Sequence, residues 1–416
     1  MQEYAMTSHF DDKETQPAVM REEALFARLQ EHVSEAAEVS TGLAGHLQGC
    51  DLLNVGSRDA LAALPVLRKP ELMGAQTRNP PFGGFANETA LVGNRVFMSP
   101  GPIWEPQGLG VDPWLAARSL YAAGFREGDV THVALSYHMT PGAFILEEGL
   151  RALGCTVFPA GTGNTEMQVQ AAAALKPNAY AGTPDFLKVL LDKGRDLNLD
   201  LSSIKKALVS GGALFPSMRE EYSKRGVQVL QAYATADLGV IAYEALHDNE
   251  PADGMIVNED LIVEIVRPGT GIPVQEGEVG ELVVTNFSLA YPLIRFGTGD
   301  LSAVLPGQSP CGRTNTRIRG WMGRADQRTK VKGMFVDPKQ IGEIRMRHLE
   351  LTGARLVVSR EKDTDVMKLQ VTGDNVEVGS VQKSLRDVTK LGGTVELVSN
   401  LPNDGKVISD ERDYDA

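Results

Sequence analysis

From Val130 onward the chain alternates between short apolar runs and longer amphipathic stretches. Val130–Ser136, Cys155–Pro159, Asn178–Ala181, Lys205–Ser210 and Val227–Ala232 are compact and apolar, which predicts strands. Between them Pro141–Leu153, Glu166–Leu175, Pro184–Lys193 and Pro216–Lys224 carry apolar residues at helical spacing and predict helices. Such alternation predicts a largely parallel sheet covered by helices, with ligands at the C-terminal ends of the strands. Ahead of this region, residues 1–17 read as a loose tail. Glu22–Gln48 reads as a helix with Leu25, Leu29 and Val33 on one face. Leu61–Met73, with Pro65 and Pro70 among leucines, reads as short helices around a bend. Met255–Arg267 and Val279–Phe287 predict strands joined by turn chemistry at Pro268-Gly269-Thr270-Gly271, hence a small antiparallel unit. Beyond residue 326 a helix is expected from Pro338, and strands at Arg355–Ser359 and Met367–Thr372. An amphipathic helix follows at Val378–Thr389, with Val378, Val381, Leu385 and Val388 on one face, and then a strand at Thr394–Val398. The expected fold class is α/β. Residues 1–321 form a large N-terminal domain with a mostly parallel sheet plus the antiparallel unit. Residues 322–416 form a small, mobile α+β C-terminal domain.

A chain of 416 residues is too long for one ordinary core, which agrees with two domains. Hydrophobic residues at 42% and charged residues at 23% fit a globular protein. The formal net charge of −13 argues against a general nucleic-acid or anionic-membrane surface, so an anionic ligand needs a local group of cations. No apolar run reaches the ~18 residues of a membrane span. Met1–Met20 lacks the apolar centre of a signal peptide, so the cytoplasm is the expected compartment. Cys50, Cys155 and Cys311 lie far apart, giving neither a disulfide framework nor a zinc spacing. The histidines form no H-x-x-H pair.

Several short stretches carry chemistry. Leu293 begins L-I-R-F-G-T-G-D-L, in which Asp300 follows Gly297 and Gly299. Glycines allow close backbone approach to a ligand, and a strand-borne carboxylate can accept both hydroxyls of a ribose. Arg295 is a candidate for ribose or phosphate, or for pairing with a surface acid. Cys311-Gly312-Arg313 is a turn. Gly323-Arg324-x-Asp326-x-x-x-Lys330-x-x-Gly333 reads either as a swivel between two bodies or as an exposed basic hairpin. Tyr137-His138 follows the first strong strand. His138 can contact a substrate or be an ordinary hydrogen-bonded loop residue. Gly161-Thr162-Gly163-Asn164-Thr165-Glu166 precedes a helix that Asn164 or Thr165 can cap. Ser210-Gly211-Gly212-Ala213 and Tyr233-Ala234-Thr235-Ala236-Asp237 end two further strands. Small residues there let a flat ring lie on the backbone, and Asp237 is a hard oxygen ligand.

Taken in this order, these stretches resemble the phenylacetate–CoA ligase family of the AMP-forming acyl-adenylating superfamily, over roughly Pro81 to the C-terminus. The family's Y-G-x-T-E, C-G-R-T, G-R-x-D hinge and L-P-R-T-x-G-K segments have counterparts here. The resemblance implies a two-step reaction: a small carboxylic acid attacks ATP to give an acyl-adenylate and pyrophosphate, and coenzyme A then takes the acyl group. It implies that Gly211, Gly212, Ala213, Tyr233, Ala234, Thr235, Ala236, Asp300 and Arg324 hold the nucleotide. Tyr137, His138 and Gly212 border the acid, Asp237 holds Mg2+, Asp326 is the hinge, and Lys406 acts in adenylation. A homodimer is left open as the assembly, with no nucleic acid and no membrane as partner. One segment departs from the family. Of the phosphate loop, Ser99 and Gly101 remain, but Pro100 and Pro102 have no N–H to offer. Glu105 stands where the family has a lysine and is expected to repel phosphates. A rewired member that binds nucleotide or acyl-CoA but adenylates poorly is therefore the second expectation.

Overall fold

A computed structural model describes residues 9–325, 327, 329–362, 364–402 and 407–412. The chain separates into two compact units, residues 1–298 with 302–321, and residues 299–301 with 322–416.

The first unit is built on a nine-stranded mixed sheet. Thr156–Pro159, Val130–Ala134, Ala179–Gly182, Lys206–Val209 and Gln228–Thr235 lie side by side in that order, all parallel. Ala179–Gly182 is buried at every position, as helices on both faces require. The helices Gly142–Ala152, Thr165–Leu175, Pro184–Asp196 and Pro216–Lys224 are the crossovers. Past Gln228–Thr235 the sheet turns antiparallel, through Gly239–Tyr243, Met255–Val257, Arg317–Ile318 and Val304–Leu305. Only the first half of this sheet is parallel. Gly239–Tyr243 is a buried strand that the alternating pattern did not announce.

A four-stranded sheet holds Leu67–Arg68, Phe296–Ser302, Gly280–Thr285 and Ile262–Val266. Its apolar face, with Leu67, Ile262, Leu282 and Phe296, packs with Leu25, Leu29 and Val33 of the helix Ala18–Val39. The expected run Met255–Arg267 is thus two strands in two sheets. Asn258 makes the break: Leu261 N–H donates to its carbonyl at 3.2 Å, and its side-chain amide donates to Leu115 O at 2.9 Å. The expected helix Glu22–Gln48 is likewise broken at Ser40, whose hydroxyl caps a second helix, Thr41–His46, by accepting from Leu43 N–H.

The loose-tail expectation fails for residues 9–17. Asp12–Glu14 is a short 3-10 turn, and the Glu14 side chain is fully buried. Its carboxylate accepts from Arg313 Nε and from the Tyr243 hydroxyl, each at 2.9 Å. Arg21 Nη2 donates to Thr314 Oγ1 at 2.7 Å. An ion pair inside the fold holds this segment, a tie that local polarity hides. Burial and the Glu14 carboxylate shape the Arg313 guanidinium, which stays charged above its ordinary range.

In the second unit a hairpin, Thr329–Val331 with Met334–Val336, leads to the helix Pro338–Arg347. Asp337 and Gln340 form a capping box at its start. The long strands Leu351–Glu361 and Thr364–Gly373 are antiparallel neighbours, with Ile408–Asp410 and Thr394–Leu397 added in parallel on either side. Ile341, Ile344, Leu356, Leu369, Val381 and Leu385 form its core. Among the described residues, no helix is long and apolar enough to cross a membrane.

Candidate functional site

Five parallel strands end on one edge of the nine-stranded sheet, so their following loops are neighbours. After Val130–Ala134 comes Tyr137, half-buried and edge-on to Phe144 at 5.1 Å between ring centres. Burial, with the Glu147 carboxylate beside it, pushes its phenol far above its ordinary range. His138 is exposed, and its N–H donates to Ser136 Oγ at 3.1 Å. The loop Gly161–Thr165 is fixed by Gln168, whose Nε2 donates to Gly163 O at 2.8 Å and to Gly161 O at 3.2 Å. Gln168 Oε1 meets His132 Nε2 at 2.8 Å in the sheet core, where burial lowers the imidazole. Asn164 precedes the helix with φ 48° and makes no side-chain cap, so Gln168 has the ordering role expected of Asn164 or Thr165.

Gly211 adopts φ 73°, a conformation that favours glycine, at the turn after Lys206–Val209. Gln231 Nε2 donates to Gly212 O at 3.3 Å and ties this turn to the next strand. Ala213 beside it is half-buried. Tyr233, Ala234, Thr235 and Ala236 are also half-buried. A register irregularity between Tyr233 and Ala234 precedes the tight return at Gly239. Gly239 has φ 77°, and a Cβ there would lie 2.4 Å from Trp114 O. Thr235 Oγ1 is buried and receives no hydrogen bond among the described residues. An unsatisfied hydroxyl at a strand end lined by small residues fits a polar ligand.

Asp237 is turned inward, its side chain only 1% exposed. Lys69 Nζ donates to Asp237 Oδ2 at 2.8 Å and lies 5.7 Å from the centre of the Phe296 ring. Lys69 is the first residue of the helix Lys69–Arg78. A cation there opposes the helix dipole, so the ion pair supplies what the local sequence lacks. That mismatch was the one sequence signal for Lys69, which sequence reasoning missed.

The segment carrying Ser99 and Gly101 is a hairpin, Val96–Ser99 with Ile103–Pro106, and Pro100-Gly101-Pro102 is its tip. Gln76 of the Lys69–Arg78 helix acts as a third strand. Its Oε1 accepts from Trp104 N–H at 2.9 Å, and its Nε2 donates to Trp104 O at 2.8 Å. The Tyr291 hydroxyl donates to the same carbonyl at 3.4 Å. Neither Gln76 nor Tyr291 carries a sequence motif for this docking. Glu105 does not face outward as an anion. It is 2% exposed, and Ser99 Oγ donates to its Oε1 at 2.8 Å. The Glu105 carboxyl lies beside that of Asp237. Burial first, and then the Asp237 charge, raise the Glu105 carboxyl well above its ordinary range. Glu105 Oε2 and Asp237 Oδ1 are buried oxygens with no hydrogen-bond partner among the described residues. The expected repulsion of phosphates by Glu105 is therefore corrected: the group is a buried acid, not a surface charge.

Asp237 also does not fit a resident Mg2+. One oxygen is taken by the Lys69 ammonium, and the carboxylate lies beside the buried carboxyl of Glu105, which burial and the Asp237 charge raise. No group of three metal-ligating carboxylate, histidine or cysteine side chains occurs among the described residues.

In the second unit Arg324 Nη1 donates to Asp300 Oδ1 at 2.8 Å, and the two residues are bridged through their backbones. Asp300 is 8% exposed. Ala325 N–H donates to Gly299 O at 2.9 Å, which fixes the approach of the two segments. Asp326 and Lys406 lie outside the described residues. Arg295 is excluded as a ligand. It is 1% exposed and forms a two-point ion pair with Glu264 at 3.0 Å, with further bonds to Ala62 O and Gly271 O at 2.7 Å each. Its partner is a buried acid, not the surface acid of the sequence reading.

A family described as AMP-binding enzyme matches residues 115–291, which span all five parallel strands and their loops. Fold and match define an enzyme of the AMP-binding class. Phenylacetate–coenzyme A ligase of Aromatoleum evansii is 31% identical over 326 residues, 75% of this chain and 72% of that one. The ligase of the same name from Escherichia coli (strain K12) is 33% identical over 310 residues, 70% and 69% of the two chains. The chain belongs to the phenylacetate–coenzyme A ligase family, whose members are AMP-forming carboxylate–CoA ligases. The fold agrees with that of 2-hydroxyisobutyryl-CoA ligase in complex with 2-HIB-AMP and CoA. The TM-score is 0.79, at 24% identity, covering 99% of this chain and 94% of that one. An amide bond synthetase from Marinactinospora thermotolerans is similar at TM-score 0.52 and 17% identity, over 76% and 67% of the chains.

Proposed function

We propose that this protein joins an aromatic or other small carboxylic acid to coenzyme A, with ATP cleaved to AMP and pyrophosphate through an acyl-adenylate. The observation that supports it best is the meeting of the Ser210–Ala213 and Tyr233–Asp237 turns on one sheet edge, with small residues and the unsatisfied Thr235 hydroxyl. In this reading Gly211, Gly212 and Ala213 lie along the adenine, and Tyr233 stacks on it. Ala234, Thr235 and Ala236 follow the phosphate, and Tyr137, His138 and Gly212 border the acid. Asp300 holds the ribose, steadied by Arg324. Lys406 stabilises charge on the transferring phosphorus, and Asp326 is the pivot between the half-reactions. ATP supplies the adenylyl group and coenzyme A the thiol. No magnesium held by Asp237 is part of this reading.

A second reading keeps the nucleotide site but weakens adenylation, and the hairpin tip favours it. Pro100 and Pro102 remove two N–H donors where a triphosphate needs them. Thermal shifts with ATP·Mg, AMP and coenzyme A, measured separately, decide between the two. A ligand at a hundredfold excess over its dissociation constant adds about 2.7 kcal/mol. Stabilisation by AMP and by ATP, followed by pyrophosphate release dependent on phenylacetate, supports the ligase. A shift with AMP alone supports the second reading, and no shift with any of the three sinks both.

Asp300→Ala is expected to weaken AMP binding by roughly 10- to 100-fold, because a charged acceptor of the ribose hydroxyls is lost. Calorimetry with AMP checks this, and unchanged affinity removes Asp300 from the site.

A further inference from the structure

We propose that Lys69 is a built-in cation that takes the place of a divalent metal on Asp237, so that the free protein holds no metal there. The inference rests on reading the Tyr233–Asp237 turn as the phosphate end of the nucleotide site.

Three oxygen-bearing side chains converge at this point. Ser99 Oγ donates to Glu105 Oε1 at 2.8 Å, Glu105 lies against Asp237, and both carboxyls are buried. Glu105 Oε2 and Asp237 Oδ1 are buried with no hydrogen-bond partner among the described residues. Without Lys69 this would be a set of hard oxygens of the kind that binds Mg2+ or Mn2+. With Lys69 the site is already filled. Its ammonium sits 2.8 Å from Asp237 Oδ2, against a carboxylate side chain only 1% exposed. Magnesium binds its oxygens at about 2.0–2.1 Å, so an ion on Asp237 Oδ1 would sit on the same carboxylate as the ammonium on Oδ2. Their like charges oppose that strongly in a site with little water. Lys69 is also held in place. It opens the Lys69–Arg78 helix, whose Gln76 is locked to Trp104, and it faces the Phe296 ring.

The consequence is a division of labour. The protein supplies a fixed single charge near the Tyr233–Asp237 turn, and any divalent ion arrives with the triphosphate and leaves with pyrophosphate. Removing the ammonium should uncover a metal site that the parent protein lacks.

Mn2+ titration of the full chain without nucleotide tests this, with free Mn2+ followed by electron paramagnetic resonance. The parent protein is expected to leave the free Mn2+ signal unchanged to millimolar concentration. Lys69→Met and the polar Lys69→Gln should each bind one Mn2+ at least about tenfold more tightly than the parent. Adding Asp237→Asn to either should abolish that gain. Circular dichroism confirms that the variants are folded. Two results overturn the proposal. One is a parent protein that binds one Mn2+ and loses it on Asp237→Asn, which would mean that Lys69 swings aside for a resident metal. The other is folded Lys69→Met and Lys69→Gln proteins with no gain. The parent titration alone decides the first, whatever the variants do. Because no nucleotide is used, failure here is distinct from failure of the AMP shift that tests the functional reading.

Discussion

Lys406→Ala is expected to slow adenylation by about 10²–10³, while thioester formation from a supplied acyl-adenylate stays near normal. The asymmetry follows from where charge develops. In adenylation negative charge builds on the oxygens of the transferring phosphorus, and a preorganised cation is worth most there. In the second step the phosphorus is only part of the leaving group, so the same ammonium contributes little. The chain following Lys406 is well anchored. Val407 N–H donates to Gln327 Oε1 at 2.7 Å, and Ile408 pairs with Leu356 in the core of the second unit. Truncating one side chain ahead of that anchor should leave the unit folded. Pyrophosphate exchange measures the first step, and release of AMP from acyl-adenylate with coenzyme A measures the second. Equal loss in both would assign Lys406 to folding instead of adenylation.

The parallel half of the large sheet was legible because each strand is a short apolar run and each crossover helix has a clean face. Pro216–Lys224 and Val378–Thr389 run where the pattern puts them. Legibility failed where a boundary depends on a distant partner. Gly239–Tyr243 is a strand because it returns against Gln228–Thr235, with Gly239 pressed on the Trp114 backbone. Asp12–Glu14 is ordered because Arg313, some three hundred residues away, pairs with Glu14. The hairpin is local, but the Gly239–Trp114 and Glu14–Arg313 contacts each join residues that no local window holds together. At the candidate site the strand-end loops were legible as motifs, but the tie between the hairpin and the Asp237 turn was not. Lys69 and Gln76 share one helix, Glu105 and Tyr291 come from two other stretches, and of the four residues only Glu105 lies in a motif. Glu105 was singled out and then misjudged, because a sequence shows a carboxylate and not its burial. Arg295 was misjudged for the same reason: beside a glycine-rich strand it reads as a ligand or as the partner of a surface acid, whereas buried Glu264 and the carbonyls of Ala62, Leu64 and Gly271 use it up.

Glu105→Lys is expected to destabilise the protein by about 3–5 kcal/mol and to bring no gain in ATP affinity. A repulsion account demands the opposite, since it makes Glu105 an anion facing the phosphates and a lysine there an improvement. The structure gives Glu105 a different role. Its carboxyl accepts from Ser99, lies beside Asp237, is raised towards the neutral form by burial first and then by the Asp237 charge, and is closed off from solvent. A lysine at this position would place a second ammonium beside Lys69, with the single Asp237 charge to balance both. It would also leave the Ser99 hydroxyl without its acceptor. Glu105→Gln separates the two accounts. An amide keeps an acceptor for Ser99 and a donor for Asp237, so stability should stay within about 1 kcal/mol of the parent. If Glu105 is neutral, Glu105→Gln also leaves ATP affinity unchanged. If it is an anion facing phosphate, removing one charge tightens ATP binding and leaves AMP, which lacks the outer phosphates, alone. Urea unfolding measures the first quantity, and calorimetry with ATP and AMP measures the second. A folded Glu105→Lys protein that binds ATP more tightly would return Glu105 to the phosphate-facing surface.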